Sequence, residues 1–345
     1  MFDNKERTEL GDLGEFGLIR HLTEAVELTQ DSTKKGIGDD AAVLDFSGKK
    51  TLVSTDLLLE NIHFDLRYVP LKHLGYKAIQ VNLSDIYAMN GTASQVTVSL
   101  GLSSKFPLEA VEEIYAGILL ACKNYGVDLV GGDTSASRQG LVISVTSIGY
   151  ADADRIVYRD GANDGDLICV SGDLGGAYVG LQLLEREKRI FLENPNIQPD
   201  LEGKDYIVER QLKPEARKDV VEQLVAMQLK PTAMMDISDG LASDMLHICE
   251  ASRVGCKLYE ERIPIDPMTY ETAREFGLDP TVCALNGGED YELLFTIKQS
   301  EYEKVKNHPD ITVIGHITEL AAGRELISKS GNVHPLKAQG WNAFS

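Results

Sequence analysis

The residues in this sequence whose types and spacing suit chemistry are aspartates. They recur beside Gly or Ser in Gly36-Ile37-Gly38-Asp39-Asp40, Ser54-Thr55-Asp56, Asn82-Leu83-Ser84-Asp85, Gly131-Gly132-Asp133-Thr134, Asp236-Ile237-Ser238-Asp239-Gly240 and Gly287-Gly288-Glu289-Asp290. These stretches read as turns, and several follow an apolar strand, where open sheets place their ligands. Carboxylates sharing a pocket repel, so they stay ionised only when metal ions or protons intervene. Hard oxygen ligands with hydroxyl and carbonyl neighbours suit magnesium rather than zinc, and magnesium usually arrives with phosphates. Any one such pair is also ordinary turn or helix-cap chemistry. Asp39 and Asp290 are the two read first as structural.

The charge balance points the same way. Thirty-four Lys and Arg stand against 54 Asp and Glu, a net charge of −20. Such a surface repels nucleic acid and anionic lipid, so a nucleic-acid binder is disfavoured. An anionic ligand would need a cation as mediator. Other motifs fail on inspection. Gly36-Ile37-Gly38-Asp39-Asp40-Ala41 matches a dinucleotide fingerprint, but residues 31–35 are too polar for the strand it requires. The 236–240 stretch is no calcium loop, since Ile237 takes a ligand position and Leu246 stands where the bidentate Glu belongs. No P-loop, zinc-protease helix or nucleophile elbow is present, and the seven histidines are scattered.

The elements that must position these aspartates follow from periodicity. The spacing predicts an amphipathic helix over 13–29, a strand ending at Asp56, and a helix over 71–90 stopped by Asn90-Gly91. A strand with Val96, Val98, Leu100 and Leu102 follows, then a helix opened by Pro107 and strands near 127–130 and 141–150. The second half restarts with a strand over 166–171, a Gly-rich turn and a helix to about 188. Residues 189–213 are polar with two prolines and read as a long loop or lid. A helix over 214–228, a strand over 232–236, a helix over 241–252 and strands over 291–297 and 311–317 complete the pattern. At 345 residues this implies two domains, each mixing strands and helices. The charged N-terminus lacks a signal-type apolar core, and no apolar run approaches about 18 residues. The five cysteines are widely spaced without a C-x-x-C pair, so a reducing, cytoplasmic setting is expected.

The segments GIGDDAAV (36–43), STDLLLENIHF (54–64), KAIQVNLSDIYAMNG (77–91), VGGDTS (130–135), DISDG (236–240) and GGEDYELLF (287–295) together resemble the thiamine-monophosphate kinase family. That family lies within the aminoimidazole-ribonucleotide synthetase-like ATP-binding superfamily, and the resemblance runs from about Gly11 to Trp341. It implies an α+β, two-domain fold. Residues 1–152 would carry a mixed sheet with helices, binding ATP and magnesium and forming a homodimer. Residues 153–345 would be an α/β domain completing the nucleotide and substrate site. It also implies ATP-dependent phosphorylation of thiamine phosphate to thiamine diphosphate with several magnesium ions.

Carried over by position, Asp40, Ser54, Thr55, Asp56, Asp85, Asp133, Asp236 and Asp239 would be magnesium ligands. Tyr115, Gly132, Asp133, Arg159 and Ser238 would contact ATP, and His63, Glu289 and Trp341 thiamine phosphate. Tyr115 also sits on its helix's core stripe, Arg159 also suits a surface ion pair, and Trp341 also suits a tail anchor. The expected transfer needs no general base, because the attacking phosphate oxygen is already ionised near neutral pH. It needs positioning and charge neutralisation. Two alternatives stay open: a superfamily ligase that activates an amide or carboxyl oxygen, for which no nucleophile or ammonia route is visible, and a non-catalytic metal–nucleotide scaffold.

Overall fold

The computed structural model describes residues 33–35, 39–103 and 106–340. The helix expected over 13–29 and the ligand Trp341 lie outside these. The first sheet is built from β1 (Thr33–Lys35), β2 (Ala42–Ser47), β3 (Lys49–Leu59), β4 (Thr92–Leu102), β5 (Asp128–Ala136) and β6 (Val142–Asp152). Its strand order is β1-β2-β3-β6-β4-β5, with only β4–β5 parallel. Helices α1 (Leu71–Ala88) and α2 (Leu108–Tyr125) belong to the same half.

The second half opens with β7 (Leu167–Ser171), then helices α3 (Gly176–Glu193), α4 (Asp205–Leu212) and α5 (Lys218–Ala226). Strand β8 (Ala233–Asp236), α6 (Leu241–Ser252), β9 (Gly255–Tyr259), α7 (Pro267–Glu275) and α8 (Pro280–Asn286) follow. Strand β10 (Leu293–Ile297), α9 (Tyr302–Val305), β11 (Ile311–Thr318), β12 (Arg324–Ile327) and β13 (Val333–Pro335) end the described chain. The second sheet runs β13-β12-β9-β11-β7-β10-β8, with only β9–β12 parallel. The fold is therefore α+β with a sheet in each half. No helix among the described residues is long and apolar enough to cross a membrane.

Helix α1 explains how the halves meet. From Leu74 to Ala88 every residue except Asp85 is buried, including the polar Lys77, Gln80, Asn82 and Ser84, so it acts as a core element rather than a surface cylinder. It lies against β3 and β6 of the first sheet and against β8 of the second. One hydrophobic core accordingly joins Leu52, Ile79, Leu83, Ile86 and Val145 to Cys169, Met234 and Phe295. The opposite face of the second sheet packs Ile168, Val170 and Leu294 on α6 through Met245 and Ile248. Helix α2 closes on α1 at two glycines. A Cβ on Gly75 would stand 2.0 Å from the Ile114 carbonyl oxygen, and one on Gly117 1.9 Å from that of Lys72. Only glycine allows that approach.

The structure corrects two expectations. Residues 189–213 are not a loop: α3 continues to Glu193, and α4 fills 205–212 with Ile207, Gln211 and Leu212 buried. Nor do all the aspartates sit in turns. Asp56 is inside β3, Asp85 inside α1 and Asp133 inside β5. Their small neighbours serve close packing and hydrogen bonding instead of chain reversal. A Cβ on Gly132 would meet the Val98 carbonyl oxygen at 1.9 Å.

Candidate active site

The site forms where α1 bridges the sheets. Asp40 precedes β2, Asp85 is one turn from the end of α1, and Asp236 ends β8. Oxygens of these three carboxylates lie within 4.8 Å of one another. Two serines fix the arrangement. Ser54 on β3 donates to Asp85 at 2.5 Å, and Ser84 on α1 donates to Asp236 at 2.5 Å. Asp56 is held by its own backbone, whose N–H donates to Asn82 Oδ1 at 3.0 Å, while Asn82 is anchored on the Ala78 carbonyl. Positions 54 and 56 of β3, two residues apart, share the core face with Leu52 and Leu58, so strand alternation aims them at α1.

The electrostatics are those of a cation site. Burial pushes the Asp56 carboxyl up to about 6. Burial, then Asp40, pushes Asp236 up to about 7. Burial and the charges of Asp56, Asp236 and Asp40 raise Asp85 well above the usual carboxylate range. Asp40 is raised by burial, opposed by Arg159. The Arg159 guanidinium grips both Asp40 oxygens, with Nε at 3.3 Å from Oδ2, and lies 3.7 Å from Asp39. Its side chain is 17% exposed, so this is no surface ion pair. Four oxygen-donor carboxylates raised against ionisation, with hydroxyls beside them, fit magnesium.

Strand direction brings a second cluster close. Strand β10 runs antiparallel to both β7 and β8, with Leu293 opposite Asp236 and Leu294 opposite Val170. The residues before β10 therefore lie beside the ends of β7 and β8. Backbone N–H groups of Glu289 and Tyr291 donate to the carbonyls of Ser238 and Ile237 at 2.8 and 2.9 Å. Glu289 and Tyr291 adopt left-handed backbone, at φ 58 and 51, a conformation that costs non-glycine residues about 1 kcal/mol and concentrates at functional sites. The Glu289 carboxylate accepts from Lys77 of α1 at 3.1 Å and from Gln211 of α4 at 2.9 Å. His63 follows β3; its Nδ1 accepts the Leu59 N–H at 2.9 Å, which puts the ring proton on Nε2. Burial lowers its pKa, against the pull of Glu289.

Thus Asp40, Asp56, Asp85, Asp236, Ser54 and Arg159 gather in one place, with Ser238 and Asp239 half-buried in the adjoining turn. Gly340, the last described residue, packs on that turn, where a Cβ would stand 2.5 Å from the Asp239 carbonyl oxygen. Two expected ligands do not join. Thr55 occupies the alternate position of β3, exposed on the outer face with its hydroxyl on the Val145 carbonyl at 2.8 Å. Asp133 is exposed on edge strand β5, opposite Ser99. Tyr115 is half-buried against the core.

The two aspartates read as structural behave so. Asp290 accepts the Gly175 N–H at 2.7 Å at the entry to α3, and Asp39 pairs with Lys35 and Arg159. Sequence reading missed Lys77, Gln211, Tyr291 and Asp244. Asp244 is buried under the 236–240 turn, accepts the Asp239 N–H at 3.3 Å, and is raised by burial and by Asp239 and Asp236. The Tyr291 hydroxyl is likewise raised by burial and by Glu289.

Comparison with known proteins bears on this arrangement. Residues 38–151 match the family model "AIR synthase related protein, N-terminal domain". The chain is 36% identical over 335 residues to a thiamine-monophosphate kinase of Aquifex aeolicus, covering 97% of this chain and 99% of that one. It is 34% identical over 341 residues to that of Bacillus subtilis, covering 96% and 100%. A solved structure described as AaThiL complexed with AMPPCP and TMP superposes with a TM-score of 0.83 at 34% identity, covering 99% of this chain and 100% of that one.

Proposed function

The chain belongs to the thiamine-monophosphate kinase family and is a kinase, and from that premise we propose that it transfers the γ-phosphoryl group of ATP to thiamine phosphate. An oxygen of the acceptor phosphate bonds the γ-phosphorus as the bond to the β–γ bridging oxygen breaks. ADP departs with that electron pair, and thiamine diphosphate is formed. The acceptor oxygen is ionised near neutral pH, so no side chain has to remove a proton. What the protein contributes is alignment of two polyanions and relief of their repulsion.

The observation that carries the reading is the convergence of Asp40, Asp85 and Asp236 within 4.8 Å at the contact of α1 with β8, with the Arg159 guanidinium on Asp40. Asp40, Asp56, Asp85 and Asp236 would hold magnesium, with Ser54 and Asp239 beside them. Magnesium there supplies neutralisation of the phosphate charge. Arg159 is the cation the chain itself brings, positioned by Asp39 and Asp40. Gly132 and Ser238 would line the nucleotide, with Tyr115 at its adenine, and His63 and Glu289 the acceptor, joined by Trp341. A structure that holds AMPPCP and TMP together supports the pairing of ligands.

A 1–152 and 153–345 division into domains accords with the two sheets, which lie within 33–152 and 167–335. Exposed Leu57 and Tyr150 on the outer face of the first sheet suit a homodimer formed through that face. The test of the activity is mass analysis of products after mixing purified chain, ATP, magnesium and thiamine phosphate, with and without chelator. Thiamine diphosphate stoichiometric with ADP, and lost on chelation, is expected. Free phosphate without thiamine diphosphate would refute the acceptor.

A further inference from the structure

We propose that Lys77 and Gln211 are positioning residues that set acceptor specificity: they pin Glu289 Oε2 and leave Oε1 as one aligned acceptor for an amino group on the acceptor's ring. The inference rests on the reading of Glu289 as an acceptor-binding residue.

Both donors converge on the same oxygen. Lys77 Nζ stands 3.1 Å and Gln211 Nε2 2.9 Å from Glu289 Oε2, and no described residue donates to Oε1. A carboxylate holding two donors on one oxygen presents the other as an acceptor only. Neither donor is free to wander. Lys77 is 4% exposed and also donates to the Gln211 carbonyl at 3.0 Å, so the lysine ties the two partners together. Gln211 is 5% exposed, and its own Oε1 is buried without a described partner.

Its neighbour Arg210 clamps α4 to the turn that bears Glu289. That guanidinium donates to Glu292 at 2.9 Å, to the Asp173 carbonyl at 3.0 Å and to the Asp290 carbonyl at 3.3 Å. Helix α4 is thus a fixed wall beside Glu289, tied to the turn at Glu289, Asp290 and Glu292, and not a lid.

The Lys77–Glu289 pairing also fixes what is recognised. Paired with an ammonium, the carboxylate offers little net charge, so it selects a hydrogen-bond donor more than a cation. Thiamine phosphate carries one conventional N–H donor, the amino group on its pyrimidine. A buried site built for an N–H donor rejects analogues that lack it far more strongly than a merely apolar pocket does.

The experiment compares wild type, Gln211→Ala, Lys77→Met, Lys77→Arg and Glu289→Gln. Each is assayed with thiamine phosphate and with the analogue whose ring amino group is replaced by hydrogen, which has no donor there. Gln211→Ala and Lys77→Met are expected to raise KM for thiamine phosphate about tenfold, with KM for ATP unchanged and kcat within about threefold. They should also shrink the preference for the amino compound by about tenfold, and Lys77→Arg should restore part of it. If Glu289→Gln raises KM for thiamine phosphate while Gln211→Ala leaves both KM and preference at wild-type values, the positioning inference fails. If Glu289→Gln itself leaves KM and preference unmoved, the acceptor reading of Glu289 fails first. Should Lys77→Met not fold, the Gln211→Ala result decides alone.

Discussion

Replacing Asp236 by Asn should make the metal-free protein more stable while removing its activity. Asp236 is 3% exposed, and burial followed by Asp40 holds its carboxyl up at about 7, against 3.8 for a free one. An acid whose folded pKa is raised contributes stability below its unfolded pKa and loses it as pH rises through the folded pKa. At pH 8 the folded chain therefore carries an ionised Asp236 at a cost, whereas the unfolded chain ionises it freely. About 1.4 kcal/mol per pKa unit puts that cost near 4 kcal/mol at most. Because Asp40, Asp85 and Asp236 share protons, one substitution recovers only roughly 1–3 kcal/mol. Asn keeps the side-chain shape and an oxygen to accept from Ser84, so no cavity offsets the gain.

The assay is thermal unfolding in chelator. Asp236→Asn should melt roughly 2–8 °C above wild type at pH 8, and the gap should close toward pH 4. Turnover with ATP, magnesium and thiamine phosphate should fall about 100-fold or more. A lower melting temperature for the variant at pH 8 would refute the reasoning, because it would mean that the carboxylate is satisfied inside the protein.

Three further expectations follow from the same geometry. The apparent magnesium affinity should rise steeply between pH 5.5 and pH 7.5 and then level off. Burial holds Asp56 at about 6 and Asp236 at about 7, and a cation must displace their protons; calorimetric titration across that range reads it, and a flat profile would contradict it. Gly117→Ala should cost about 2–4 kcal/mol in urea unfolding, since the new methyl carbon would meet the Lys72 carbonyl oxygen at 1.9 Å and push α2 off α1. Asp290→Asn should likewise melt above wild type at pH 8, with the gap closing toward pH 4, because burial outweighs Arg210 and the Gly175 N–H and holds the carboxyl at about 7; thermal unfolding reads it, and a lower melting temperature at pH 8 would contradict it.

How far the sequence spoke depends on what kind of signal each residue leaves. Helix α6 was legible to its bounds, because Gly240 opens it and apolar residues follow at helical spacing. The start of α1, at Leu71 after Pro70, was equally plain, whereas its end falls at Ala88, two residues before the expected 90, with Asn90 left-handed at φ 58 just beyond it. The metal-type aspartates were legible as residues but not as geometry. Small neighbours such as Ser54, Ser84 and Gly132 look like turn formers, yet they act as hydrogen bonders or close-approach positions inside regular elements.

Helix α4 was hidden because its buried set includes Gln211, which reads as surface in any polarity pattern. Lys77 was hidden for the same reason. It is a charged residue in a buried helix, and its partner Glu289 lies 212 positions away, so nothing local announces the pair. Thr55 illustrates the reverse error. Adjacent residues in a strand point to opposite faces, so Thr55 could not place its side chain with Ser54 and Asp56.

The most direct test of the central claim is manganese binding, followed by loss of the free-ion electron paramagnetic resonance signal in the presence of AMPPCP. Manganese is an oxygen-preferring stand-in for magnesium. Chelator-stripped wild type is expected to take up manganese tightly, and Asp85→Asn, which removes one of the three clustered carboxylates, to lose at least one of those ions. Equal manganese uptake by the two proteins would contradict the assignment of the cluster as the metal site on which phosphoryl transfer depends.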